Sequence, residues 1–182
     1  LPFSVFELLR GETLQARLKR QGPLPVPTVA QIARQVLVAL AEAHAVGIVH
    51  RDIKPANIFL GGDSLKLIDY GIAKSLRPNT KALTRQGEVL GTPSYMAPEQ
   101  TWGRHEEVGP AADIYALGAI LYDCLTGRPP FKGNSIVETL DLVRTQEPAA
   151  PSRWEAGIPL DLETICLKCL RKEPENRYAS AA

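Results

Sequence analysis

The sequence predicts an α+β chain, mainly helical, with one short β-hairpin. Three observations predict it. Between Thr28 and Leu40, apolar residues recur at helical spacing (Val29, Ile32, Val36, Leu37, Leu40), so one stripe faces a core. Ala111 to Leu125 is apolar nearly all round, with Asp113 and Asp123 as the charged exceptions. A helix of that kind belongs in the middle of a domain. Ile58-Phe59-Leu60 and Leu65-Lys66-Leu67-Ile68 flank Gly61-Gly62-Asp63, a turn signal between two strand-like runs.

The remaining elements follow in chain order. Val5-Phe6-Glu7-Leu8-Leu9 reads as a short strand ended by Gly11, and Glu12 to Arg20 as a helix. The Gly22-Pro23-Leu24-Pro25-Val26-Pro27 run breaks that helix. Thr28 is a suitable N-cap for the next helix, and Gly47 a suitable stop. Ile48-Val49 is a further strand-like pair. Ile72 to Tyr95 is polar and aperiodic, long for a loop, and loops of that length tend to carry function. Thr126-Gly127-Arg128-Pro129-Pro130 ends the apolar helix. Residues 135–145 read as a helix, Glu147 to Pro159 as a Pro-rich loop, and Leu160 to Leu170 as the last full helix. No internal repeat or low-complexity tract is present.

Composition narrows the function classes. The 182 residues suffice for one domain with a sizeable core. A net charge of +1 argues against a nucleic-acid surface, which normally carries a clear basic excess. No apolar run approaches the ~20 residues of a membrane span. Leu1-Pro2-Phe3 has neither the charged start of a signal peptide nor an initiator Met, so a fragment of a longer chain is expected, with any membrane tether elsewhere in that chain. Three cysteines, Cys124, Cys166 and Cys169, are too few for a disulfide scaffold and point to a reducing compartment. Cys166-Leu167-Lys168-Cys169 is formally C-x-x-C, but it lies in a helical pattern with Leu162, Ile165 and Leu170. Two core-facing small side chains are the expectation there, rather than a redox or zinc pair.

The chemistry is concentrated in three ordered motifs. His50-Arg51-Asp52-Ile53-Lys54-Pro55-Ala56-Asn57 comes first, on the loop before the hairpin. Asp69-Tyr70-Gly71 follows the hairpin, and Ala97-Pro98-Glu99 comes later. Asp52 supplies a carboxylate able to orient a hydroxyl nucleophile. Asn57 and Asp69 supply the oxygen ligands that a hard cation prefers, and pairing of the two hairpin strands brings them close together. Any one of these residues alone would more often be a turn or cap residue. In this order and spacing the chain resembles the C-terminal lobe of the serine/threonine protein kinases, most closely the bacterial branch. The Asp113-Ile114-Tyr115-Ala116-Leu117-Gly118 and Asp161-Leu162-Glu163-Thr164-Ile165-Cys166 helices are the features similar to bacterial relatives.

The resemblance implies a fold, an activity and a site. The whole of 1–182 would be a partial kinase domain, hinge plus C-terminal lobe, with an activation segment over 69–99 and the N-terminal lobe missing. No Gly-rich loop or Val-Ala-Ile-Lys strand precedes the catalytic run, so the segment by itself is expected to be nearly inactive. ATP and Mg2+ would be the cofactors, and the γ-phosphoryl group would pass to Ser or Thr of a protein. Asp52 matches the catalytic aspartate. Lys54 matches the lysine that neutralises charge on the transferring group, and Asn57 and Asp69 match the magnesium ligands. Tyr70 stands where the family usually has Phe, and its ring would pack against His50. Phe6 would guard the back of the nucleotide pocket. The Glu7 carbonyl and Leu9 amide would meet the adenine edge, with Phe59 on the adenine floor. Glu12 reads equally as a ribose or substrate contact and as a helix-start acid.

Gly91-Thr92-Pro93-Ser94-Tyr95-Met96-Ala97-Pro98-Glu99 resembles the substrate-docking loop. Thr92 would hydrogen-bond Asp52 and Lys54, and Glu99 would pair with Arg177. Asp113 would either reach the catalytic-loop backbone or cap its own helix. Arg51, with Lys74, would receive a phosphate on Thr80, Thr84 or Ser75, unless Glu88 already supplies the negative charge. His44 reads as structural and His105 as a surface residue.

Two other classes compete. A truncated or pseudokinase lobe would act as a protein-interaction module, although every catalytic residue this lobe should supply is present. Small-molecule kinases of the aminoglycoside or choline type share the Asp, Asn and metal Asp, but lack the docking loop of residues 92–99. The partners implied are Ser/Thr-bearing protein substrates, with no nucleic acid and no membrane contact from this segment. A dimer of the full-length chain and a cytoplasmic location fit the resemblance.

Overall fold

The computed structural model describes residues 7–62, 64–70, 93–102 and 108–182. Among these residues, five α-helices surround and include a central buried one, and a small antiparallel sheet lies at one side.

The sheet has three strands where the sequence predicted a two-stranded hairpin. β1 is Glu12–Thr13, β2 is Ile58–Gly61 and β3 is Ser64–Leu67, in the order β1-β2-β3. Ile58 stands opposite Leu67 and Phe59 opposite Lys66, while Glu12 pairs with Leu60. The predicted helix over 12–20 is therefore shifted: its first two residues are strand, and α1 runs Leu14–Gln21 with the Thr13 hydroxyl accepting from the Ala16 amide. Gly11 makes this possible. Its φ is 144°, and a Cβ there would lie 2.0 Å from the Leu60 carbonyl oxygen, so only glycine lets the chain pass β2 at that point. Of the strand predicted over Val5–Leu9, the described part, Glu7 to Leu9, is not strand, and Ile48-Val49 is not strand either.

α2 spans Val26–Ala45. It begins two residues before the expected cap at Thr28, with Pro25 as N-cap and Pro27 in the first turn. Prolines are tolerated there because first-turn amides have no intrahelical acceptor, so the Pro-rich run starts this helix as well as ending the last. Val29, Ile32, Val36 and Leu40 are buried as the periodicity predicts.

α3, Pro110–Thr126, is the predicted central helix, and every residue from Ala112 to Leu125 is buried. α2 packs on one side of it and α5, Leu160–Cys169, on another. The α3–α5 crossing is close. A Cβ at Gly118 would lie 2.5 Å from Cys169 Cβ, and Cys166 Sγ sits 3.4 Å from the Gly118 carbonyl oxygen. Cys124, Cys166 and Cys169 are free and buried, as expected of core thiols, and burial pushes all three thiols up. α4, Ile136–Thr145, is capped by the Ser135 hydroxyl accepting from the Glu138 amide. The predicted Pro-rich loop contains a short 3₁₀ turn at Pro151–Arg153. Beyond it, Trp154 Nε1 donates to Tyr122 Oη at 2.7 Å, and the Arg128 guanidinium lies 4.0 Å over the Trp154 ring. No described helix is long and apolar enough to cross a membrane.

Candidate active site

The site is built on the loop between α2 and β2. A buried carboxylate from the central helix holds that loop. Asp113 Oδ1 accepts from the Arg51 amide and Oδ2 from the His50 amide, each at 2.9 Å. Oδ2 also accepts from His44 Nε2 at 2.9 Å, which makes His44 structural. The capping alternative for Asp113 does not hold: the N-cap of α3 is Gly109, four residues earlier. The loop needs such an anchor because Arg51 adopts φ 65°, the left-handed region. A non-glycine residue held there costs on the order of 1–3 kcal/mol, so the surroundings must impose it. The next peptide is held too. The Arg51 carbonyl accepts from Gln100 Nε2 at 2.8 Å, and the Asp52 amide donates to His50 Nδ1 at 3.3 Å.

The side chains then converge. Asp52 Oδ2 accepts from Lys54 Nζ at 2.9 Å and from Asn57 Nδ2 at 3.2 Å. Asn57 Nδ2 also donates to the Asp52 carbonyl at 2.8 Å. A 3₁₀ turn over Pro55–Asn57 aims the Asn57 side chain back at Asp52, and Asn57 is buried. The Asn57 carbonyl accepts from the Ile68 amide at 2.9 Å, which sets Asp69 just beyond the paired strands. Asp69 is exposed, with φ 57°. The structure thus gathers Asp52, Lys54 and Asn57 into one hydrogen-bonded group, with Asp69 on the adjoining segment. Thr92, Phe6, Lys74, Ser75, Thr80, Thr84, Glu88 and His105 lie outside the described residues.

His50 ties the two halves together. Its Nδ1 accepts from the Asp52 amide and its Nε2 donates to the Ile68 carbonyl at 3.2 Å, which selects the neutral imidazole protonated on Nε2. The Tyr70 ring packs against it, tilted by 33° with centroids 4.4 Å apart, as the resemblance implies. Burial holds the His50 imidazole below its usual range, against the opposing pull of Asp113. A second proton would need Nδ1 to donate where it now accepts. The unfolded chain therefore binds a proton at His50 more readily than the folded one. The stability that His50 contributes is present above its ordinary value of 6.5 and is lost as pH falls through the lower folded value. Denaturant unfolding from about pH 7.5 down to about pH 5 should show this loss, and His50→Phe should flatten the slope relative to the parent. An unchanged slope would refute it.

The residues that the resemblance assigns to the nucleotide are less assembled. Glu7, Leu8, Leu9, Arg10, Phe59, Gly61, Ser64 and Lys66 line a cleft of about 270 Å³, so Glu7, Leu9 and Phe59 share one wall system. Lys66 Nζ bridges to both Glu7 carboxylate oxygens, at 2.7 and 2.5 Å, an ion pair the sequence did not suggest. Glu12 is neither a helix-start acid nor directed into this cleft. Its Oε1 accepts from Arg17 Nε at 3.0 Å and Arg20 at 2.7 Å, and Arg17 above all lowers its carboxyl.

Residues 95–100 are held by three contacts. Glu99 forms the predicted pair with Arg177, bidentate at 2.7 and 2.8 Å. The Tyr95 hydroxyl donates to Asp123 Oδ2 at 2.6 Å; burial pushes the Asp123 carboxyl up, and that hydrogen bond opposes the rise. Gln100 Oε1 accepts from the Ala97 amide at 2.9 Å. Neither the Tyr95–Asp123 bond nor Gln100 was legible in sequence. The one hint was an acid, Asp123, inside an otherwise apolar helix.

Comparison with known proteins gives the family. The model of the family described as "Protein kinase domain" matches residues 3–182. The chain is 40% identical over 183 residues to the serine/threonine-protein kinase PknB of Mycobacterium leprae, covering 100% of this chain and 29% of that protein. It is 39% identical over 183 residues to a probable serine/threonine-protein kinase PknB of Bifidobacterium longum, covering 100% and 26%. The chain therefore spans less than a third of the length of these relatives. Among solved structures, Rad53 1–466 in complex with AMP-PNP superposes with a TM-score of 0.76 at 24% identity, over 96% of this chain and 43% of that one, which shows a shared fold. The chain belongs to the protein kinase domain family, alongside bacterial serine/threonine-protein kinases of the PknB type.

Proposed function

We propose that the protein carrying this segment transfers the γ-phosphoryl group of ATP to Ser or Thr hydroxyls of protein substrates, with Asp52 as catalytic base. The observation that carries the reading is the group around one carboxylate: Asp52 Oδ2 within 2.9 Å of Lys54 Nζ and 3.2 Å of Asn57 Nδ2. Phosphoryl transfer asks for positioning and charge stabilisation more than for covalent chemistry. Asp52 orients the acceptor hydroxyl and takes its proton. Lys54, held at that carboxylate, places a positive charge beside the transferring group. Thr92 hydrogen-bonds Asp52 and Lys54. The Glu7 carbonyl and Leu9 amide hold the adenine edge, over the Phe59 ring.

The donor set suits Mg2+. The hydrogen bonds from the Asn57 side chain to Asp52 use Nδ2, which leaves Oδ1 as the oxygen available to a cation, and Asp69 is an exposed carboxylate. Mg2+ takes few protein ligands beside substrate phosphates. When bound, the ion neutralises phosphate charge. In this reading 1–182 is a hinge and C-terminal lobe, 69–99 is the activation segment, and the segment works in the cytoplasm as part of a longer chain. The Gly-rich loop and strand lysine that complete an ATP site are not among its 182 residues, so transfer by the segment alone is slow.

The test is transfer from labelled ATP to a Ser/Thr protein substrate by the full chain, with metal titrated. Asp69→Asn should raise the Mg2+ concentration needed for half-maximal rate and alter the metal preference. No transfer by the full chain, or an unchanged metal requirement in the variant, would favour the interaction-module reading or remove Asp69 from the role.

A further inference from the structure

Gln100 reaches two backbone groups that belong to different parts of the site. Its Oε1 accepts from the Ala97 amide at 2.9 Å, at the end of the docking loop. Its Nε2 donates to the Arg51 carbonyl at 2.8 Å, in the peptide that leads into Asp52. An acceptor on one side and a donor on the other is a demand that, among side chains of this length, a carboxamide meets at every pH and a carboxyl only when protonated. Glutamate keeps the first bond and loses the second, and methionine loses both.

The Arg51–Asp52 peptide is where a small rotation matters most. Arg51 is left-handed, so the direction of the Asp52 side chain depends on how that peptide plane is held. His50 Nδ1 accepts from its N–H and Gln100 donates to its C=O, which fixes the plane at both ends. Ala97 is fully buried and Glu99, two residues on, is locked to Arg177, so the far end of the Gln100 bridge is rigid. Lys54 and Asn57 then set the Asp52 carboxylate from the other side.

We propose that Gln100 is a positioning residue for Asp52, coupling the seating of the docking loop at Ala97 to the aim of the catalytic carboxylate through the Arg51 carbonyl. This rests on the reading of Asp52 as catalytic base. Misplacement of a reacting group by about 1 Å costs on the order of 10²-fold, so the coupling should act on turnover and leave nucleotide binding alone. Gln100 does not line the cleft of Glu7, Leu9 and Phe59.

The experiment measures kcat, KM for ATP and the thermal midpoint of the full chain as parent, Gln100→Glu, Gln100→Met and Asp52→Asn. Both Gln100 variants should lose roughly 10- to 100-fold in kcat with KM for ATP within about twofold. The Gln100→Glu rate, taken as a ratio to the parent, should recover as pH falls from about 7.5 toward about 5.5, because the protonated carboxyl regains a donor for the Arg51 carbonyl. The Gln100→Met ratio should stay flat. A kcat within twofold of the parent in Gln100→Glu, a ratio that does not move with pH, or loss of fold in both variants overturns the proposal. If Gln100→Glu matches the parent while Asp52→Asn is inactive, the coupling fails and the base assignment stands. If Asp52→Asn also matches the parent, the base assignment itself fails and the coupling falls with it.

Discussion

Asp52→Asn in the full chain is expected to lower turnover at least ~10²-fold, the scale of a positioned general base. The asparagine preserves shape and can still accept from Lys54 and Asn57 on one atom. It cannot take the proton of a hydroxyl. ATP affinity should change little, since Asp52 does not line the cleft of Glu7, Leu9 and Phe59. The measurement is steady-state transfer to a protein substrate alongside equilibrium binding of an ATP analogue. A rate near that of the parent would remove Asp52 from the role. A parallel collapse of nucleotide binding would point to damage of the loop rather than loss of a base.

Arg177→Lys is expected to be nearly as harmful to stability as Arg177→Ala, a result that charge alone does not explain. All five guanidinium hydrogens have acceptors. Nε donates to the Arg171 carbonyl at 2.7 Å. Nη1 donates to Glu99 Oε1 at 2.7 Å and the Ala111 carbonyl at 2.9 Å. Nη2 donates to Glu99 Oε2 at 2.8 Å and the Lys172 carbonyl at 2.7 Å. The side chain is 0% exposed and Glu99 only 15%. A lysine retains the charge but has three donors at a single point, so it cannot reach four separate groups. Removing one partner of a buried pair leaves the other charge uncompensated, at about 3–5 kcal/mol. For a domain of this size that corresponds to a fall of roughly 6–20 °C in the thermal midpoint. Scanning calorimetry of the two variants and of Glu99→Gln measures it. A midpoint for Arg177→Lys within about 2 °C of the parent would show that the fork geometry contributes little.

Several features were determined by the sequence alone, because they rest on local rules. The period of Val29, Ile32, Val36 and Leu40 places one face of α2 in the core, and the continuous apolar run of 111–125 can only be a helix buried on all sides. The two strand-like runs around a turn signal pair as a hairpin, which sets Asn57 opposite the segment leading into Asp69. The Glu99–Arg177 and His50–Tyr70 partners followed from the resemblance. Tertiary structure decided what local rules cannot see. Residues 12 and 13 are strand rather than helix because β2 offers them a pairing edge, and Gly11 permits the approach. α2 starts at Val26 rather than after Thr28 because first-turn prolines cost no hydrogen bond. Asp113 anchors the loop instead of capping α3, because its carboxylate meets two loop amides from the middle of the lobe. The Arg51–Asp52 peptide is held by a left-handed Arg51 and by the Gln100 carboxamide, forty-nine residues after Arg51 in the chain. Such conformations are imposed by groups distant in sequence, and no propensity or period records a contact of that kind.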